Sequence, residues 1–244
     1  MSMAFAAGGC GIFDGPPSGD TEPLTLTFDF RSGLQGWEGG VSDYPVGQEA
    51  NLEFDFGLRE FPSETGIAGN GLWITSRNTP DDLFTFVKCR LDRADGVTPG
   101  TAYRVAYEIL VASNAPSGCA GVGGSPGDSV YLKAGASPTE PQAVLADGEA
   151  YYRLNVDKGD QAEGGAAASV VSTIANGVPC DLIPSLETAP SVLLFRAHTH
   201  ETPVTAGDDG ELWLLLGTDS GFEWVTAMYY LRIDVTLTPT AAAP

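Results

Sequence analysis

LTLTFDF, residues 24–30, sets Leu24, Leu26, Phe28 and Phe30 against Thr25, Thr27 and Asp29. Alternation with period two sends the two sets to opposite sides of a β-strand, so the stretch predicts a strand with one face in a core and the other in water. The same reading extends outward. NLEFDF (51–56) places Leu52, Phe54 and Phe56 on one face, and VTAMYYLRIDVTLTP (225–239) alternates through Val225, Ala227, Tyr229, Leu231, Ile233 and Val235. Between them lie GLWITS, LFTFVKCRL, TAYRVAYEILVA, DSVYLKA, AYYRLNVD, ASVVSTI, SVLLFRAHTH and ELWLLLG, for about eleven strands in all. Turn clusters such as SRNTPDD, DGVTPGT and AGDDGE separate them, and only GGAAASVV (164–171) leaves room for a turn or two of helix. The pattern predicts an all-β fold, an antiparallel β-sandwich of jelly-roll type. No Pro-rich linker divides residues 24–239, which are read as one domain. Residues 1–23 are expected to be a signal remnant or flexible tether, and 240–244 a disordered tail.

Of the 244 residues 43% are hydrophobic, enough for an ordinary core. Against 12 Lys and Arg stand 32 Asp and Glu, a net charge of −20. Such a surface repels polyanions, so nucleic acid is not an expected partner, whereas cations are compatible with it. No apolar run is long enough to predict a transmembrane span. Ala7-Gly8-Gly9-Cys10 is similar to the small-residue box before the lipidated cysteine of bacterial lipoproteins, with Ala7 where leucine is usual. Cys10 is therefore a candidate lipid anchor, and the expected location is extracellular or on the bacterial cell surface.

The FDF strand followed by GLQGW (33–37), and the closing strand YYLRIDVTL (229–237), resemble the ends of carbohydrate-binding-module-like (galactose-binding-like) jelly rolls of secreted bacterial proteins. The resemblance implies the fold and a glycan or other small polar ligand. It also implies a structural calcium between first and last strands, near Asp29 and Asp234, although Leu231 stands where an acidic residue is common.

Read from the residues themselves, Trp37 closes one end of the core while the glycines around it let the chain bend. Short polar loops follow the confident strands and carry the candidate ligand-binding residues: Asp43 and Tyr44, Asn78 with Asp81 and Asp82, Asn114, Asn155, and Asp219 with Glu223. Gathered at one end of a sandwich, their amides and carboxylates would bond sugar hydroxyls while Tyr44 stacks on a sugar face. NVDKGDQAE (155–163) supplies hard oxygen donors, which makes calcium the candidate cofactor, with Asp157 and Asp160 as ligands. Cys119 and Cys180, both in turn-rich segments of a chain read as exported, are expected to pair. Cys89 shares a strand face with Val87 and Leu91 and is expected to be a buried free thiol. His198 and His200 share a face with Arg196, at a spacing that would let two imidazoles meet one metal ion or serve a cleft. The expected function is a secreted or surface-tethered, non-catalytic, glycan-binding β-sandwich. The alternatives are a polysaccharide hydrolase or lyase using Arg196, His198 and His200, and a structural or adhesive surface module.

Overall fold

The alternation of residues 24–30 becomes the first strand, β1 (Leu24–Asp29), in a computed structural model that describes residues 22–79 and 82–240. It is followed by β2 (Trp37–Ser42), β3 (Tyr44–Pro45), β4 (Asp55–Glu60), β5 (Asn70–Arg77), β6 (Leu83–Leu91) and β7 (Ala102–Ser113). Then come β8 (Val130–Ser137), β9 (Ala143–Leu145), β10 (Tyr151–Leu154), β11 (Ala168–Thr173), β12 (Val192–Thr205), β13 (Leu212–Ser220) and β14 (Val225–Pro239). The three strands beyond the expected set are β2 and the very short β3 and β9. Residues 164–167 are irregular, with a bend at 166–167, rather than helix, and the helical turns among the described residues are short 3-10 turns elsewhere. Residues 1–21, which hold the Cys10 candidate anchor, residues 241–244 and Asp81 lie outside the described residues. Among the described residues no helix is long and apolar enough to cross a membrane.

Two antiparallel sheets pack face to face as a β-sandwich. One runs β12-β7-β14-β5-β4, with β1 paired to the second half of β14, and the other runs β11-β8-β13-β6-β2. Phe30, Trp37, Leu72, Tyr107, Ile109, Leu132, Leu214, Tyr230 and Ile233 fill the space between them. Trp37 starts β2 and meets Phe28 and Phe30 edge-on, the end-of-core position expected for it. Cys89 is buried and free, and burial pushes its thiol up to about 12.

Two strand readings are corrected. In β14 the pairing with β7 shifts between Tyr230 and Arg232. The extra residue of this bulge switches faces, so Met228 and Tyr230 point into the core before it and Ile233, Val235 and Leu237 after it. Val225, Ala227, Tyr229 and Leu231 are consequently outside that core. In NLEFDF, Glu53 adopts a left-handed conformation (φ 44°), which breaks the alternation: Leu52 is buried and Phe54 exposed.

A third layer, β3-β10-β9 with the loop that follows β10, covers the outer face of the β13 sheet. Phe84, Phe86, Leu215 and Ala168 meet Leu154 and Val156 there. This layer explains why alternate residues of β6, β8 and β13 on the outer face are buried too.

Candidate functional site

The residues with the strongest claim to a ligand meet at the end of the sandwich where β5, β7, β11 and β13 finish and β14 begins. Arg77 comes from the end of β5, and Asn114, Ala115, Pro116 and Pro126 from the β7–β8 loop. Ile174, Leu186 and Glu187 come from the β11–β12 connection. Phe222, Trp224 and Thr226 come from the turn into β14, and together these groups enclose a cleft of about 420 Å³. Its floor is apolar and its rim carries an amide, a carboxylate and a guanidinium, the make-up of a small-molecule site.

Trp224 dominates this cleft. The indole is 53% exposed, although apolar burial would favour tucking it away. Its backbone is held on both sides: the Trp224 N–H donates to the Phe222 carbonyl at 3.1 Å, and its own carbonyl accepts from the Asn78 N–H at 3.0 Å. The Asn78 side-chain amide donates to the carbonyls of Ser220 (2.8 Å) and Phe222 (3.1 Å). Asn78 is therefore a buried staple that positions Trp224, not a ligand-facing group. The Arg77 guanidinium lies 4.0 Å from the Trp224 ring centroid and is paired with Glu53, which fixes one face of the indole.

The walls are fixed covalently as well. Cys119 and Cys180 form a disulfide, as expected, and it joins the two loops that carry Asn114 and Glu187. Around it Asn176 N–H donates to the Ala115 carbonyl, Ser117 N–H to Val178, and Cys180 N–H to Ser117. Trp224, Arg77 and Glu187 escape sequence reasoning because the aromatic of GFEWVT reads as turn. The available signal is a bulky indole three residues after Gly221 of a Ser-Gly turn.

The other expected ligand residues do not share this ring. Asn155 spends its side chain on the β9–β10 hairpin, accepting from Gln142 N–H and donating to the Glu140 carbonyl. Tyr44 stacks on Tyr152 at 5.0 Å, and burial, with Glu49 and Tyr152 nearby, raises its phenol. Glu223 donates its N–H to Val122 on the turn beside Trp224. Asp219 is not in a loop: β13 continues through Ser220, and Asp219 is fully buried on the strand's outer face. The structure brings Asp43, Asp82, Asp160 and Asp219 together under the loop after β10, with Lys133, Lys158 and Arg153. Asp157 stands beside them, but its two oxygens accept from Ala166 N–H (2.9 Å) and Gly159 N–H (3.0 Å), which holds its carboxyl pKa below the usual carboxylate range.

A third concavity, of about 460 Å³, crosses the outer face of the first sheet over Thr25, Thr27, Glu108, Arg232, Asp234 and Thr236. Its groups are largely bonded to one another: Asp234 accepts from Thr27 and Arg232, and Thr25 meets Thr236. Asp29 is likewise clamped by Arg31. Each of the two carboxylates associated with a first-to-last-strand calcium thus has its own arginine.

The histidines sit where the edges of the two sheets meet. The ring of His200 is buried, and its Nε2 faces the Ala166 carbonyl at 2.9 Å, so that nitrogen donates. With the ring tautomer that donates from Nε2, His200 Nδ1 accepts from the Ser169 hydroxyl (2.9 Å), and Ser169 Oγ accepts from His198 Nε2 (2.8 Å). The relay latches β12 to β11, and it ends on a backbone carbonyl rather than a carboxylate. Arg196 is turned to the Ser172 hydroxyl instead. Burial, with His200 adjacent, holds His198 below its ordinary 6.5 despite Glu201. The unfolded chain therefore binds the extra proton more readily, so the latch contributes fully above pH 6.5 and weakens as pH falls below it. Urea titrations between pH 7.5 and 5 should show wild-type stability falling more steeply than that of His198→Gln, and parallel profiles would refute the latch.

No family model matches the chain, and no curated protein matches it. Solved structures similar to it include the adhesin domain K3 of Lys-gingipain from Porphyromonas gingivalis, at 11% identity over 87% of this chain and 97% of that one, with TM-score 0.38. A carbohydrate-binding module studied for specific mannan recognition is 13% identical over 90% of this chain and 99% of that one, with TM-score 0.36. The carbohydrate-binding and catalytic modules of a Clostridium thermocellum xylanase, complexed with xylohexaose, are 12% identical over 91% of this chain, which spans 29% of them, with TM-score 0.37. Carbohydrate-binding modules and adhesin domains are thus among the structures it is similar to.

Proposed function

We propose that this β-sandwich is a glycan-binding module of an exported protein and that the Trp224 cleft is its binding site. The observation that carries the reading is the half-exposed indole, held by a dedicated amide staple beside Asn114, Glu187, Arg77 and Thr226. A sugar ring offers a C–H face to stack on an aromatic and hydroxyls around its edge to bond amides, carboxylates and guanidinium. With Arg77 on one face of the indole, the sugar takes the other. The disulfide supports an oxidising compartment outside the cytosol. The site is open and short, so affinity for one chain end is modest and rises when several copies engage a polymer.

Isothermal titration against a panel of soluble polysaccharides tests the proposal. Wild type should bind at least one, and Trp224→Ala should weaken that binding at least tenfold, a loss of about 1.4 kcal/mol or more. Equal affinity in the two proteins would place the sugar elsewhere.

A further inference from the structure

We propose that Asp82, Asp160 and Asp219 bind one calcium ion that fastens the loop after β10 onto the β13 sheet. Each offers one carboxylate oxygen, and the three oxygens lie within 4.8 Å of one another, about twice a calcium–oxygen distance of roughly 2.4 Å. Acidic side chains gather on many surfaces, and this group differs in what lies beneath it. Asp219 is wholly buried, and its Oδ2 is saturated by Lys133 Nζ (2.8 Å), Lys158 Nζ (2.9 Å) and Gln161 N–H (2.9 Å). Its Oδ1 is buried with no hydrogen-bond partner, and so is Asp82 Oδ1. An unsatisfied buried carboxylate oxygen is expensive, and one on each of two neighbouring aspartates calls for a shared positive partner.

The charges agree with a divalent ion. Asp43, Asp82, Asp157, Asp160 and Asp219 surround Lys133, Lys158 and Arg153, five carboxylates against three cations. The residual charge of minus two equals one such ion. All donors are carboxylate oxygens, which suit a hard cation, and the site opens to solvent through a cavity of about 440 Å³ that leaves room for water ligands. Asp157, the other ligand expected from the sequence, serves instead to shape the loop. Its hold on Gly159 and Ala166 N–H, with Lys133 donating to the carbonyls of Lys158 and Glu163, directs Asp160 toward Asp82.

The test uses the full chain stripped with EDTA and titrated with calcium chloride, followed by calorimetry and thermal melting. One site per chain is expected, with Kd of about 10⁻⁴–10⁻³ M and a Tm rise of about 5 °C or more at hundredfold excess. Asp160→Asn, an exposed change that leaves the buried pairs in place, should fold normally, keep the stripped Tm and lose the calcium response. Asp181→Asn, on an exposed turn elsewhere, should respond like wild type. Absence of a wild-type response, or an undiminished one in Asp160→Asn, would overturn the proposal, and neither result bears on sugar binding at Trp224.

Discussion

Asp219→Ala is expected to lower folding stability by about 3–5 kcal/mol, the effect of leaving a buried charge without its partner. Lys133 is wholly buried on β8, and burial already pushes its ammonium below the ordinary value while Asp219 pulls it back. Lys158 is nearly as buried; desolvation opposes its charge, and Asp219, Asp43 and Asp82 hold it protonated. Removing Asp219 deprives both ammonium groups of their closest carboxylate in a medium where water cannot replace it. Domains of this kind have about 5–15 kcal/mol in total, so the variant should unfold at much lower urea. Measured in EDTA, so that metal plays no part, a loss under about 1 kcal/mol would show that the network is solvated and the packing described for this layer is wrong. Lys133→Met combined with Asp219→Leu should recover part of the loss, because the apolar pair removes one of the two stranded ammonium groups and leaves only Lys158, which keeps Asp43 at 3.6 Å.

The second large effect concerns Cys119 and Cys180. The bridge closes a separation of 61 residues, and on the chain-entropy model that restricts the unfolded ensemble by about 4 kcal/mol. Replacing both cysteines with serine should lower stability by a similar amount. It should also weaken sugar binding, because Asn114 and Glu187 stand on the two loops the bridge joins. A stability loss with unchanged affinity would mean that the backbone bonds around Ser117 and Asn176 suffice to hold the cleft walls.

The sandwich was legible because period-two alternation is written into β1 and β7, where one face of each strand meets the core. It was misread where local geometry breaks the period: at the β14 bulge, which swaps the inward set from Tyr230 to Ile233, and at Glu53, whose left-handed turn exposes Phe54. The third layer left no periodic signal. It buries the second face of β13, so WLLLGTDS reads as a strand ending early and Asp219 as a loop residue. Polar loop residues were visible as such, but their partners were not. Asn78 and Asn155 look alike in sequence to a ligand-binding amide, and only long-range pairing reveals that both are bonded to backbone. The exposure of Trp224 likewise depends on Asn78, at a distance in sequence that no local pattern spans.

The chain has four tryptophans, each with one indole N–H. Trp37 and Trp213 are buried, whereas Trp224 stands at the cleft. The most direct measurement is therefore a ¹⁵N–¹H correlation spectrum of the four indole signals, assigned by single substitution and recorded while the best-binding oligosaccharide is added. A saturable shift of the Trp224 signal with the Trp37 signal unmoved is expected. Saturable binding with the Trp224 signal unmoved, or no binding by any glycan at millimolar concentration, would contradict it.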